Sequence, residues 1–200
     1  AITAARQQPE TLPGKIILYG FSMGAAIALL TPPHPDVVAI VVDSPYARLD
    51  DMLRRFVHWY LIHGSSSWRP FLQHLRSTFP AIAWGTVAVS TLVFRLRFGH
   101  ALIARPDASF KRWKAKANAL LPASPPPILL IHGMEDKLVP FTHARQIAAA
   151  AQAANIPIET FFVEHASHCG AYGKDPQQYI TVLQDFAARY LGEDFPQGSK

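Results

Sequence analysis

The sequence predicts an α/β fold on a parallel sheet, interrupted by one helical insertion. Three observations carry this. Short β-rich apolar runs alternate with helix-forming segments, the pattern of strand–helix–strand units. Between Tyr46 and Leu121 the alternation stops for far longer than a loop would need. Half of the 200 residues are hydrophobic and only 16 % are charged, which supplies a sizeable core and excludes global disorder.

The elements follow in order. Ala1 to Gln8 reads as the tail of a helix. Lys15 to Tyr19 (KIILY) is a short β-rich run ending at Gly20, expected as a buried strand. Ser22 to Leu30 is rich in small residues and helical, stopped by Pro32 and Pro33. Val37 to Val42 (VVAIVV) is a second buried strand, and Ile128 to Ile131 a third, launched from three prolines. Thr142 is the expected N-cap of a helix running through Ala154. Ile158 to Val163 is the fourth strand. Asp175 followed by Pro176 starts a last helix, an N-cap with proline at the first helical position. It runs to about Leu191 and stops at Gly192. The expected organisation is a core of residues 1–45 and 122–192, a helical cap insertion over 46–121, and a polar tail over 193–200.

The insertion has its own character. Pro80 to Phe94 is apolar on all sides, yet shorter than the roughly 18–20 residues a membrane span needs, and it contains Gly85, Thr86, Ser90 and Thr91. A helix buried under or within a cap is the expectation. The alternative is a membrane-dipping helix flanked by Arg76, Arg95 and Arg97. From Arg54 to Lys116 there are eleven Lys/Arg and one acidic residue, Asp107, although the net charge of the chain is only +5. Trp59, Trp68, Trp84 and Trp113 fall in the same stretch. The charges are scattered and no nucleic-acid motif frames them, so nucleic acid is not an expected partner. A solvated face is the expected role of this stretch, with contact to an anionic membrane surface as the alternative.

Other classes drop out. One cysteine, Cys169, permits no intrachain disulfide and excludes a disulfide-stapled scaffold. No heptad or solenoid period appears. No signal-peptide pattern precedes the first strand; the cytoplasm is the expected location, the alternative being an N-terminal anchor or signal lost with a missing part. The chain begins at Ala1 rather than Met, and its start reads as processed or truncated.

The chemistry centres on Gly20-Phe21-Ser22-Met23-Gly24, which fits G-x-S-x-G between a predicted strand and a predicted helix. A serine on so tight a turn has strained dihedrals that lift its Oγ clear of the sheet. Gly20 and Gly24 are expected to be tiny because strand and helix nearly touch there. The helix N-terminus favours developing negative charge, and the N–H of Met23 can donate to an oxyanion. A serine needs a base, and the base an orienting acid. His168 lies on the loop after the fourth strand, with His165 as the main rival, while His132 at a strand end reads as structural. His165, His168 and Cys169 lack further ligands around them, so no metal is expected. Asp136 lies on the loop after the third strand. Asp43 competes from the end of the second, though Asp43-Ser44-Pro45 also reads as a turn. Glu135 adjoins Asp136 but should point elsewhere.

The order Ser22, Asp136, His168 is similar to that of the α/β-hydrolase superfamily. HGMEDKLVP resembles that family's acid-bearing turn, and HCGAYGKDPQQY resembles the histidine loop and last helix of its serine-aminopeptidase-like and dienelactone-hydrolase-like branches. VVDSPYARLDDML resembles the segment after the sixth strand there. The resemblance implies Ser22 as nucleophile, His168 as general base and acid, Asp136 as orienter and Met23 N–H as one oxyanion donor. It implies hydrolysis of an ester, thioester or amide of a small or lipid-like acyl substrate, without metal or organic cofactor. The alternatives are an acyltransferase on the same triad and a non-catalytic binding or membrane-surface module. The family's first four strands, and the loop giving the second oxyanion donor, have no counterpart in the sequence. The resemblance therefore implies the C-terminal part of the family sheet, from a fragment or one half of a split protein. Such a chain is expected to be a poor catalyst alone.

Overall fold

The computed structural model describes residues 1–63, 76–99, 104–120 and 125–192. The expected polar tail, Trp68 and the ends of several insertion segments lie outside the described residues. The chain forms two compact units, Ala1–Ala47 with Pro106–Lys200, and Arg48–Arg105.

The larger unit begins with a short helix α1 (Ile2–Arg6) and holds a four-stranded, all-parallel sheet: β1 (Ile16–Phe21), β2 (Val37–Asp43), β3 (Ile128–Gly133) and β4 (Ile158–Val163). Spatial order equals chain order. Parallel neighbours need crossovers, and helices supply them. β2 and β3 are central and buried almost throughout, which is why they read as unbroken apolar runs. β1 and β4, at the edges, are only partly covered.

Side chains alternate between two cores, as the period of a strand requires. Ile40, Val42, Ile128 and Leu130 face one side. There they pack with α2 (Met23–Leu30), α5 (Pro106–Leu120) and α6 (Phe141–Ala153), through Leu29, Phe110, Trp113 and Ile147 among others. Ala39, Val41, Leu129 and Ile131 face the other side, beneath α7 (Ala171–Lys174) and α8 (Pro176–Leu191), with Tyr179 and Phe186 buried. Asp175 caps α8 as expected, its side chain accepting from the Gln178 N–H at 3.0 Å.

The smaller unit is narrower than the predicted insertion. Residues 106–120 form α5 and belong with the sheet, because Phe110 and Trp113 meet edge to face at 5.3 Å inside the core. Trp113 is therefore a core residue, not part of an exposed basic–aromatic surface. Its described residues include α3 (Leu49–His63), a 3-10 turn (Arg76–Thr78) and α4 (Phe79–Phe98), with α3 packed on α4. α4 departs from the expected buried helix in two ways. It is 20 residues long, long and apolar enough by length and composition to cross a membrane. Only Phe79, Ala83 and Val87 are buried, a single stripe spaced by four.

One local expectation also fails. α6 starts at Phe141, with Pro140 rather than Thr142 in the capping position and no side-chain cap bond.

Candidate active site

The C-terminal ends of the four strands share one edge of the sheet, the place where ligands bind in open α/β sheets. β1 ends at Phe21 and α2 begins at Met23, so Ser22 alone makes the turn. Its φ of 50° and ψ of −113° are strained for a residue with a Cβ. The turn is held from behind: the Ser22 N–H donates to the Asp43 carbonyl at 2.8 Å. The two flanking glycines turn out to differ. A Cβ on Gly20 would stand 2.5 Å from the Gly24 backbone, whereas one on Gly24 meets nothing within 4 Å. Only Gly20 is required by the close approach of strand and helix.

The histidine loop follows β4. His168 Nε2 lies 3.0 Å from Ser22 Oγ, and His168 Nδ1 lies 2.7 Å from Asp136 Oδ2. The Asp136 side chain is fully buried, and its other oxygen accepts from the N–H groups of Leu138 (2.9 Å) and Val139 (2.8 Å). A carboxylate oxygen can only accept, so with His168 Nδ1 as its donor the ring presents Nε2 as an acceptor to Ser22. Gly133 makes room for this loop, since a Cβ there would stand 2.4 Å from the Ala166 carbonyl oxygen. Met23 takes the first position of α2, where helix geometry leaves the backbone N–H without an intrahelical acceptor.

The rivals lie elsewhere. His165, at φ 56°, is turned outward and pairs with Glu135 at 2.7 Å, both well exposed. His132 is fully buried and donates from Nε2 to the Val139 carbonyl at 2.9 Å. Burial pulls its pKa below the usual histidine range, so it is neutral and braces the Asp136 turn. Among the described residues, no group of three or more His, Cys, Asp or Glu could hold a metal ion.

Asp43 is bonded to no histidine among the described residues. It is fully buried, receiving the Ser44 hydroxyl (2.9 Å) and the Tyr179 hydroxyl (2.9 Å), and Tyr179 in turn contacts the Tyr19 hydroxyl. Burial pushes the Asp43 pKa up. Ser44, at φ 54°, has its N–H on the Ile131 carbonyl and accepts at Oγ from the Cys169 N–H at 3.1 Å. Asp43 and Ser44 thus grip the Ser22 turn through a carbonyl and the His168 loop through a hydroxyl. Sequence reasoning read them as a turn, and the pattern Asp-Ser-Pro at a buried strand end was the available signal. Burial also raises the Cys169 thiol pKa, which leaves it a poor nucleophile.

Residues 1–182 match the sequence model described as "Alpha/beta hydrolase family". No match is found among curated proteins. Similar solved structures include an esterase of Pyrococcus furiosus, at TM-score 0.62 and 20 % identity, covering 96 % of this chain and 59 % of that one. A puromycin-hydrolyzing peptidase of Mycobacterium tuberculosis gives TM-score 0.60 at 16 % identity, covering 96 % and 24 %. Dipeptidyl peptidase 4 of Porphyromonas gingivalis gives 0.58 at 15 %, covering 94 % and 21 %. The chain therefore spans about three fifths of the esterase and about a quarter or less of either peptidase.

Proposed function

Since the chain belongs to the alpha/beta hydrolase family, we propose that it provides the nucleophile, base and acid of a serine hydrolase acting on a carboxylic ester, thioester or amide. The observation that carries this is the bridging of Ser22 and Asp136 by one imidazole, at 3.0 and 2.7 Å. Ser22 Oγ attacks the acyl carbonyl while His168 Nε2 takes its proton. Met23 N–H donates to the oxyanion. The tetrahedral adduct collapses as His168 returns the proton to the leaving oxygen, sulfur or nitrogen, giving an acyl-enzyme on Ser22. Water then attacks with His168 as base, and the acid is released with Ser22 restored. Asp136 holds the tautomer and stabilises the imidazolium.

An apolar acyl group suits the surroundings. Phe21 and Met23 on either side of Ser22, Leu138 beside the acid and Tyr172 beyond the histidine loop are all exposed large apolar residues. The esterase and peptidase names of the similar structures support the bond class.

The test is covalent labelling with a fluorophosphonate probe, followed by peptide mapping. Modification at Ser22 that is lost in Ser22→Ala is expected. Labelling elsewhere, or equal labelling of the variant, would reject Ser22 as nucleophile. A p-nitrophenyl ester assay with and without an added alcohol then separates hydrolysis from acyl transfer.

A further inference from the structure

The smaller unit carries an apolar surface of its own. α4 has no acidic residue and is apolar around its whole circumference, yet Ile82, Trp84, Val89, Leu92, Val93, Leu96 and Phe98 are exposed. A helix apolar all round belongs in a core or in lipid. α3 adds exposed Phe56, Trp59 and Tyr60. Large exposed apolar patches mark interaction sites, and the composition here says which kind.

Residues 48–105 hold eight arginines and two acids, Asp50 and Asp51. Both acids are engaged within α3's own neighbourhood, Asp50 by Arg48 and Arg54 and Asp51 by Arg55. The unit is strongly positive, and exposed Arg95 and Arg97 sit on the last turn of α4, Arg97 over the Phe98 ring. The same charge opposes two copies meeting through this surface. Tryptophan, tyrosine and arginine beside apolar side chains are the residue types of a membrane–water interface. We propose that the α3–α4 pair docks on an anionic lipid bilayer.

The geometry also decides between lying on the bilayer and crossing it. The Leu49 N–H donates to the Ala104 carbonyl at 3.0 Å, tying the start of α3 to the chain beyond α4. α4 cannot cross unless α3 crosses with it. Within fifteen residues α3 carries Asp50, Asp51, Arg54, Arg55, His58 and His63, too much charge for the hydrocarbon core. The pair therefore lies in the interface. Apolar area and attraction to anionic headgroups both contribute to the binding. This proposal is independent of the hydrolase mechanism.

The test is sedimentation of the full chain with large unilamellar vesicles of phosphatidylcholine, alone or mixed with phosphatidylglycerol. Binding is expected to be at least about tenfold stronger on the anionic vesicles, and to weaken as salt rises. Leu92→Glu with Leu96→Glu should abolish binding while circular dichroism and the melting temperature stay at wild-type values. Arg95→Gln with Arg97→Gln should remove most of the anionic preference with the same controls met. Failure of the folded wild-type chain to bind either vesicle would overturn the proposal. So would a dimer that dissociates in the glutamate variant while vesicles are ignored, which would make a second copy the occupant. Equal binding to both vesicles would overturn the anionic specificity.

Discussion

Replacing Asp136 with asparagine changes one atom's hydrogen-bonding role and little else. The Oδ1 bonds from Leu138 and Val139 N–H can persist on the amide oxygen, so the turn after β3 keeps its acceptor. The amide nitrogen then faces His168 Nδ1 across 2.7 Å. It can only donate, so Nδ1 must become an acceptor and the ring proton moves to Nε2. That places an N–H in front of Ser22 Oγ, where a lone pair is needed to receive the hydroxyl proton. The variant is folded but holds the wrong tautomer. By analogy with other serine triads the expected loss is about 10⁴-fold in kcat, or about 5.5 kcal/mol of transition-state stabilisation. The assay pairs ester turnover with the rate of fluorophosphonate labelling, because both need Nε2 as base. The melting temperature should move by no more than a few degrees. If Asp136→Asn keeps turnover and labelling within tenfold of wild type, the tautomer argument fails and another group orients His168.

Gly20→Ala should lower stability markedly, because its Cβ overlaps the Gly24 backbone, while Gly24→Ala should fold normally; urea unfolding of the two variants checks the contrast. Ser44→Ala strands the Cys169 N–H and removes a donor from buried Asp43. The expected cost is about 1–3 kcal/mol of stability, with kcat falling more than KM rises because the histidine loop loses an anchor. Asp43 binds its proton more tightly folded than unfolded, so it stabilises the fold most in acid. That contribution fades as pH rises from about 4 through its raised folded pKa. The stability difference between wild type and Asp43→Asn, measured by denaturation across pH, should therefore shift against wild type as pH rises over that range.

Ser22, the proposed nucleophile, is the most legible residue of the site, because the motif and its strand–helix context act on the same five residues. The proposed base, His168, is less so. His165 and His168 are three residues apart on one loop, and only the fold separates them: His165 pairs with Glu135 and His168 meets Ser22. Which side chains of the central strands meet which helices is not legible, because VVAIVV and ILLI are apolar on both faces. The fate of α4 is not legible either, since an apolar helix has the same pattern buried or exposed. The insertion boundary was missed for a related reason. Phe110 and Trp113 sit on a helix whose exposed face is basic, and only packing shows that its apolar face belongs to the sheet. Asp43 and Ser44 were visible as a turn, but a hydrogen bond to a backbone 125 residues away leaves no local trace.

The Ser22–His168 contact spans 146 residues of chain and joins the loops of the two outermost strands, with β2 and β3 between them. Such a contact closes only after the whole sheet has assembled, since long-range pairings are the last to overcome the entropy of their loops. Reactivity toward an acylating probe then serves as a clock for the end of folding. Chains lacking β4 lack the histidine loop as well, and are expected not to react with the probe. On the proposed mechanism, Ser22 gains its base only when the two edges of the sheet are both in place.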